Sequence, residues 1–249
     1  MILTRYFKKL SYFSMLIKSK LRIDFGILLR RHGKYKFLKS VVPNGQLLDV
    51  GCGNNSPQMS KQQRPDIQYT GIDIGVYNQA HGFEKYVDRL ILTSSESFPE
   101  EIEKFKEAVD AVISSHNLEH CNDPYRVLLA MINSLRDYGS IYLAFPCENS
   151  TKFPSRSGTL NFYDDPTHQN LLFYDEVIAM LTQNHIVIEY STKQYKPYLL
   201  AIVGFIFEPL SRFLNKQVPM GATWAYYGFE SIIIGRKLHR SGKTGQVHK

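Results

Sequence analysis

The sequence predicts an α/β fold: a seven-stranded, mostly parallel sheet with helices on both faces. Three observations predict it. Short apolar runs alternate with amphipathic stretches from residue 46 onward; one run, LLDV, passes straight into a turn at Gly51-Cys52-Gly53; and the next run ends on a carboxylate, Asp73. Short apolar runs separated by helical stretches belong to strands buried on both faces, and helices must then cover each side of the sheet.

Taken in order, the strand candidates are QLLDV, YTGIDI, a weakly marked stretch at KYVDRLIL, AVDAVISS, SIYLAF, residues 185–190 and a β-rich run over 228–235. Helices fit between them at residues 57–64, 97–106, 123–135 and 173–181. The third places Val127, Leu128, Met131, Ile132 and Leu135 on one face, and Gly139 then restarts the chain into a strand. Two long segments, 146–172 and 193–224, interrupt the alternation. Segments of that length inside a compact domain usually carry function or pack separately, so acceptor specificity is expected in them.

The domain itself is expected over residues 41–237. Ahead of it, residues 1–40 read as a basic helical extension, with Leu3, Phe7, Leu10, Phe13, Ile17 and Leu21 at helical spacing and Lys8, Lys9, Lys18 and Lys20 between them. That stripe either packs on the domain as a lid or lies on lipid. Residues 238–249 read as a basic, flexible tail.

The net charge of +7 is unevenly placed. Residues 1–40 carry 11 Lys/Arg against one acid and residues 235–249 carry five against none, whereas residues 41–234 hold 14 basic and 22 acidic residues. An acidic body argues against nucleic acid, whose binding rests on neutralising phosphates. Basic ends fit an anionic membrane surface better.

Cys52, Cys121 and Cys147 form no CxxC pair and no even-numbered framework, which suits a reduced, cytoplasmic protein. The basic residues scattered through the first 20 positions argue against a secretory signal. The longest apolar run, residues 198–207, is stopped by Glu208, Pro209 and Arg212 well short of the roughly 20 residues a membrane span needs. The expected location is therefore the cytoplasm, with peripheral contact at the inner membrane face.

The chemistry concentrates at the first glycine turn. Gly51 and Gly53 let the backbone pass close to a ligand, and free N–H groups gather where strand gives way to helix. Asp73 closes the next strand 24 positions after Asp49, where a carboxylate can accept hydrogen bonds from two ribose hydroxyls. A dinucleotide site would want a third glycine at the helix start, but Asn55 stands there; asparagine also tolerates a left-handed backbone.

DVGCG with GID and the later VDAVISSHNLEH resembles the class I S-adenosylmethionine-dependent methyltransferases, close to the ubiquinone-type, type 11 and type 23 groups, over roughly residues 40–190. The resemblance implies a Rossmann-like domain with S-adenosylmethionine as cofactor. It places Asp49, Gly51 and Gly53 at the methionine end and Asp73 on the ribose. Ser95 and Glu96 would approach adenine, and His116 would open the loop after the fourth strand.

Residues 116–120 spell H-x-x-E-H, an inverted zinc-protease string. Its histidines would need one continuous helix, and a strand before it and Asn122-Asp123-Pro124 after it deny that, so no metal is expected. Asp164, Asp165 and His168 form a polar group after the fifth strand, too few ligands at this spacing for a cation. His168, with Asp165 beside it, is the expected general base for a hydroxyl acceptor, the alternative being that both anchor the next helix. Tyr195, Tyr198, Trp224, Tyr226 and Tyr227 offer an aromatic platform or an ordinary core.

The leading expectation is O-methylation of a hydroxyl on a sugar or cell-surface glycan, lipid-linked in one form. It rests on the likeness of the stretch from Phe145 through DDPTHQN to methyltransferases of polysaccharide synthesis. The rivals are a quinone-like or other lipophilic small molecule, and a membrane-surface binding protein that keeps the fold without turnover.

Overall fold

The computed structural model describes residues 30–218 and 221–239. Most of the expected basic extension (residues 1–29) and most of the expected tail (240–249) lie outside the described residues. Seven strands form one sheet: β1 Gln46–Val50, β2 Gln68–Asp73, β3 Arg89–Leu92, β4 Val109–Ser115, β5 Leu135–Pro146, β6 Ile186–Thr192 and β7 Glu230–Lys237. Their order is β3-β2-β1-β4-β5-β7-β6. β7 runs antiparallel to both β5 and β6, and the other neighbours pair in parallel.

The helices are α1 Lys34–Phe37, α2 Ser56–Gln63, α3 Phe98–Glu103, α4 Pro124–Ser134, α5 Tyr174–Gln183, α6 Tyr198–Leu214 and α7 Ala222–Tyr227. Successive strand residues feed opposite faces. Leu48, Val50, Val112, Ile141, Leu143 and Phe145 join the core beneath α3, α4 and α5, while Leu47, Ala111, Ile113, Tyr142 and Ala144 join a second core with Phe37 and Leu38.

Local chemistry explains the boundaries. Asp123 accepts the Arg126 N–H and so caps α4, with Pro124 at its first position. At the other end the buried Lys237 ammonium donates to the carbonyls of Ile132, in the last turn, and Leu135, the first residue beyond the helix. The expected restart at Gly139 falls inside β5, which begins at Leu135 and recovers its pairing with β4 at Ser140 after a register shift. A side chain at Gly139 would meet the Arg136 carbonyl at 2.9 Å, so the irregular stretch needs glycine there.

The sheet edge at which the parallel strands end positions the site. β1 and β2 end there beside their turns, segment 146–172 leaves β5 there, segment 193–224 leaves β6 there, and β7 starts there at Glu230. Ligands of open α/β sheets bind at this carboxyl edge. The apolar run expected at 198–207 extends into α6, which packs on α7 where Gly204 meets the Ala222 backbone; a Cβ at Gly204 would lie 2.1 Å from that carbonyl oxygen. The opposite side of α6 exposes Tyr198, Leu199, Phe205, Ile206 and Phe213. Among the described residues no helix is long and apolar enough to cross a membrane.

Candidate cofactor and acceptor site

The turn after β1 is built around two glycines with different duties. Gly51 has φ +79°, and a Cβ on it would lie 2.3–2.4 Å from the Asn117 side chain, so both backbone conformation and space demand glycine. A Cβ on Gly53 would make only ordinary contacts, 3.4 Å from Tyr77 and 3.9 Å from the Asp73 carboxylate. Its absence keeps the approach to Asp73 open. Asn54 and Asn55 follow in left-handed conformations, at φ 54° and 57°. The Asn55 side chain accepts the Ala80 N–H, so asparagine does at the helix start what a third glycine would do, and ties down a neighbouring loop as well.

Two carboxylates back the turn. Asp49 is fully buried, and one of its oxygens accepts the hydroxyls of Ser56 and Tyr69, while Oδ1 is buried with no partner in the protein. Asp73 accepts the Ile74 N–H at 2.8 Å. Burial pushes its carboxyl up to about 6, opposed by backbone N–H groups of Ile74, Gly75 and Gly53 and assisted by the nearby Asp49. Keeping Asp73 ionised is therefore costly, and hydroxyl donors from a ligand would offset that cost. Asp73, which lines the cavity, fits a nucleoside cofactor at this edge, while Asp49 braces the turn from behind.

In front of the turn lies a cavity of about 1160 Å³, above the usual range for a single small ligand. Gly51, Gly53, Asp73 and Tyr77 line it, with Asn117 against Gly51, and so do His120, Thr167, Gln169, Gln217 and Trp224. His116 also lines it, at φ 54°, with its N–H on the Ala144 carbonyl. Its Nδ1 lies 3.3 Å from Glu119 and its Nε2 3.1 Å from Glu230, which in turn takes Arg30 at 2.8 Å. Burial pulls the imidazole down, but the two carboxylates outweigh it and hold it up at about 9. His116 is thus an imidazolium at neutral pH, both N–H groups spent. Glu230 pays for its burial in the same network, where Arg30 and then His116 hold it down to about 2.

A model of the methyltransferase domain family (type 23) matches residues 28–184. The chain belongs to this methyltransferase family. No curated protein matches the sequence. Among solved structures it is similar to a S-adenosylmethionine-dependent methyltransferase from Archaeoglobus fulgidus (17% identity, TM-score 0.52, 90% of this chain and 99% of that one). A complex of the Haloferax volcanii Trm112 activator with its putative methyltransferase gives 14% identity and TM-score 0.59, covering 89% and 96%. Geranyl diphosphate C-methyltransferase from Streptomyces coelicolor, solved with Mg2+, geranyl diphosphate and S-adenosyl-L-homocysteine, gives 14% and 0.56, covering 82% and 78%. At these identities the solved structures establish the fold. The methyltransferase takes S-adenosylmethionine as its methyl donor.

The methyltransferase brings Asp49, Gly51, Gly53 and Asp73 together around one turn. Ser95 donates to Glu96 in the loop after β3, and neither lines the cavity; two residues before Ser95, the Thr93 N–H is held by the Asp73 carbonyl, so this loop borders the end of β2. His168 stands behind the wall, its Nδ1 2.6 Å from the Phe162 carbonyl and its ring 4.8 Å from that of His120. The Asp165 carboxylate accepts the backbone N–H and hydroxyl of Thr167, and its carbonyl takes the His168 backbone N–H rather than the imidazole. Neither residue caps α5, whose first N–H is taken by Glu148.

Of the five aromatic candidates only Trp224 lines the cavity; Tyr195 is buried beneath, Tyr198 is exposed, Tyr226 packs on Phe205, and Tyr227 donates to Glu208. Glu230, Arg30, Glu119 and His120 were not among the site residues expected from the sequence. A glutamate at the first position of a strand with no local partner, Glu230, was the only available signal.

Proposed function

We propose that the methyltransferase transfers its methyl group to a hydroxyl of a sugar or glycan-related acceptor. The observation that carries this reading is the polar wall that His120, Thr167, Gln169 and Gln217 give the cavity beside the Trp224 ring, which we assign as its acceptor part. Polyols need many convergent hydrogen-bonding groups and one stacking surface; a quinone or terpenoid tail would need the reverse.

The turn at Gly51 and Gly53 holds the methionine end of the donor, with Asp49 buried behind it and off the cavity lining, Asp73 holds the ribose, and the loop carrying Ser95 and Glu96 borders the adenine. When bound, S-adenosylmethionine supplies a sulfonium methyl: the acceptor oxygen forms the new C–O bond, the C–S bond breaks, and the sulfur keeps the electron pair. The chain's own tasks are alignment and removal of the hydroxyl proton. His116, already an imidazolium, cannot take that proton and serves to fix the loop after β4. His120, on the cavity wall, and His168, directly behind it, are the groups that promote loss of that proton, and Asp165 sets their loop through Thr167.

Offering saccharides, lipid-linked saccharides and lipophilic phenols with a methyl-labelled donor tests the reading. Label is expected on the saccharides, and label confined to phenols rejects it. We further propose that the acceptor is met at an anionic membrane face, supported by the exposed apolar side of α6 beside a chain whose two ends are strongly basic. Co-sedimentation with anionic vesicles is expected and should weaken as salt rises. Failure to sediment with anionic vesicles at low salt rejects it.

A further inference from the structure

The H-x-x-E-H string does not act as a unit, because its two histidines part company. His116 turns to Glu230, whereas Glu119 and His120 meet a third residue, His168, brought over by segment 146–172. One carboxylate oxygen of Glu119 and one ring nitrogen of each histidine all lie within 4.8 Å of one another.

Hydrogen bonding decides which atoms are available. The Thr167 hydroxyl donates its single proton to Asp165, so it can only accept from His120; the His120 Nδ1 therefore carries hydrogen and donates to Thr167, at 3.0 Å to the hydroxyl and 3.1 Å to the carbonyl. The His168 Nδ1 donates to the Phe162 carbonyl, which can only accept. Both rings thus keep the lone pair on Nε2. A backbone or side-chain oxygen on the far ring nitrogen is the usual way a metal-ligating histidine is oriented.

Glu119 supplies the independent observation. Its side chain is fully buried; one oxygen faces His116, and the other, Oε2, has no hydrogen-bond partner among the described residues. A buried carboxylate oxygen without a partner is costly, and a cation would remove that cost. The Glu119 carbonyl also accepts the N–H groups of Gln169 and Asn170, and the Asn170 side chain donates to the Cys121 carbonyl, so the loop and the segment carrying His168 are fastened together on both sides of the cluster. Asp164 and Asp165, by contrast, spend their oxygens on Ser155, Thr167 and nearby backbone N–H groups.

We propose that Glu119, His120 and His168 form a binding site for one borderline divalent transition-metal ion of the zinc type, open towards the acceptor part of the cavity. Two imidazoles and one carboxylate suit such an ion and leave coordination positions for an outside oxygen. Its place in catalysis rests on the hydroxyl-acceptor reading above. An acceptor hydroxyl on the open position would ionise more readily, as metal-bound water does, its O–H bond breaking with the proton passing to solvent water; the two histidines then act as ligands rather than as proton acceptors.

Cobalt(II) titrated into the metal-stripped full chain tests the site without any acceptor. One equivalent is expected to bind with a visible d–d absorption that zinc displaces. His120→Ala, His168→Ala and the isosteric Glu119→Gln are each expected to weaken cobalt binding at least ~100-fold while S-adenosylhomocysteine affinity stays within about twofold, the latter confirming an intact fold. A wild-type chain that binds S-adenosylhomocysteine but gives no cobalt band overturns the proposal, and so does a band that survives in the histidine variants. The acceptor reading stands or falls separately, since the absorption requires no methyl transfer.

Discussion

Asp73→Ala is expected to weaken S-adenosylhomocysteine binding about 100-fold by calorimetry, equivalent to about 2.7 kcal/mol. The carboxylate ends β2 nearly buried, with Oδ1 on the Ile74 N–H and the Gly53 approach open in front of it. Two hydroxyl donors lost from a charged acceptor account for an effect of that size. The same residue gives the binding a defined pH dependence. Burial, with Asp49 nearby, raises the free carboxyl to about 6. Hydroxyl donors from the ribose favour the ionised form, so the bound-state value is lower. Affinity should therefore be constant well above pH 6 and fall as pH drops through 6, approaching tenfold per pH unit as binding comes to require release of a proton. Asp73→Asn should flatten this profile. A wild-type affinity independent of pH between 5 and 7 would remove Asp73 from the ribose.

His168→Ala is expected to lower turnover at least ~100-fold with cofactor affinity unchanged, the range removed when a group responsible for proton transfer is lost. Its ring does not touch the cofactor turn; it stands on the acceptor side, 4.8 Å from the His120 ring and fixed by the Phe162 carbonyl. A merely structural role would disturb the fold and with it S-adenosylhomocysteine binding, which is the readout that separates the two. Because the His120 and His168 rings form one cluster, His120→Ala and the double variant should show strong non-additivity, each single change costing nearly as much as both. Wild-type turnover in His168→Ala would dismiss the assignment.

The cofactor half was legible in the sequence because each of its parts is local. Gly51 marks a positive φ within five residues of a strand, Asn55 stands where a left-handed backbone is needed, and Asp73 ends the next apolar run. α4 lay within a residue of its expected bounds because Asp123 and Pro124 fix its start chemically, whereas α6 and α7 fill most of the segment 193–224 that the sequence presented as irregular. β3 was only weakly marked, as an edge strand with a partly exposed face carries little apolar pattern.

The acceptor half was not legible in this way. His116 is paired with Glu230 across 114 positions and Glu230 with Arg30 across 200. Those distances are spanned because β7 inserts between β5 and β6, antiparallel to both, and so brings its first residue to the edge where the parallel strands end. Nothing in the run GFESIIIG states its direction or its neighbours. Likewise H-x-x-E-H reads as a metal string, yet a left-handed His116 and a short helical turn over Leu118–His120 send its histidines to different partners, and His168 arrives from a separate segment.

The sequence by itself determined the α/β class, the glycine turn after β1 and the acid that ends β2, since backbone conformation and hydrophobic period are set over a few residues. Only the tertiary structure decided that His116 is a spent imidazolium, that Glu119 is left with an unpartnered oxygen beside His120 and His168, and that α6 turns an apolar face outward. Those properties depend on which distant groups share a buried volume, and burial fixes both the charge a side chain can carry and the partners it still lacks.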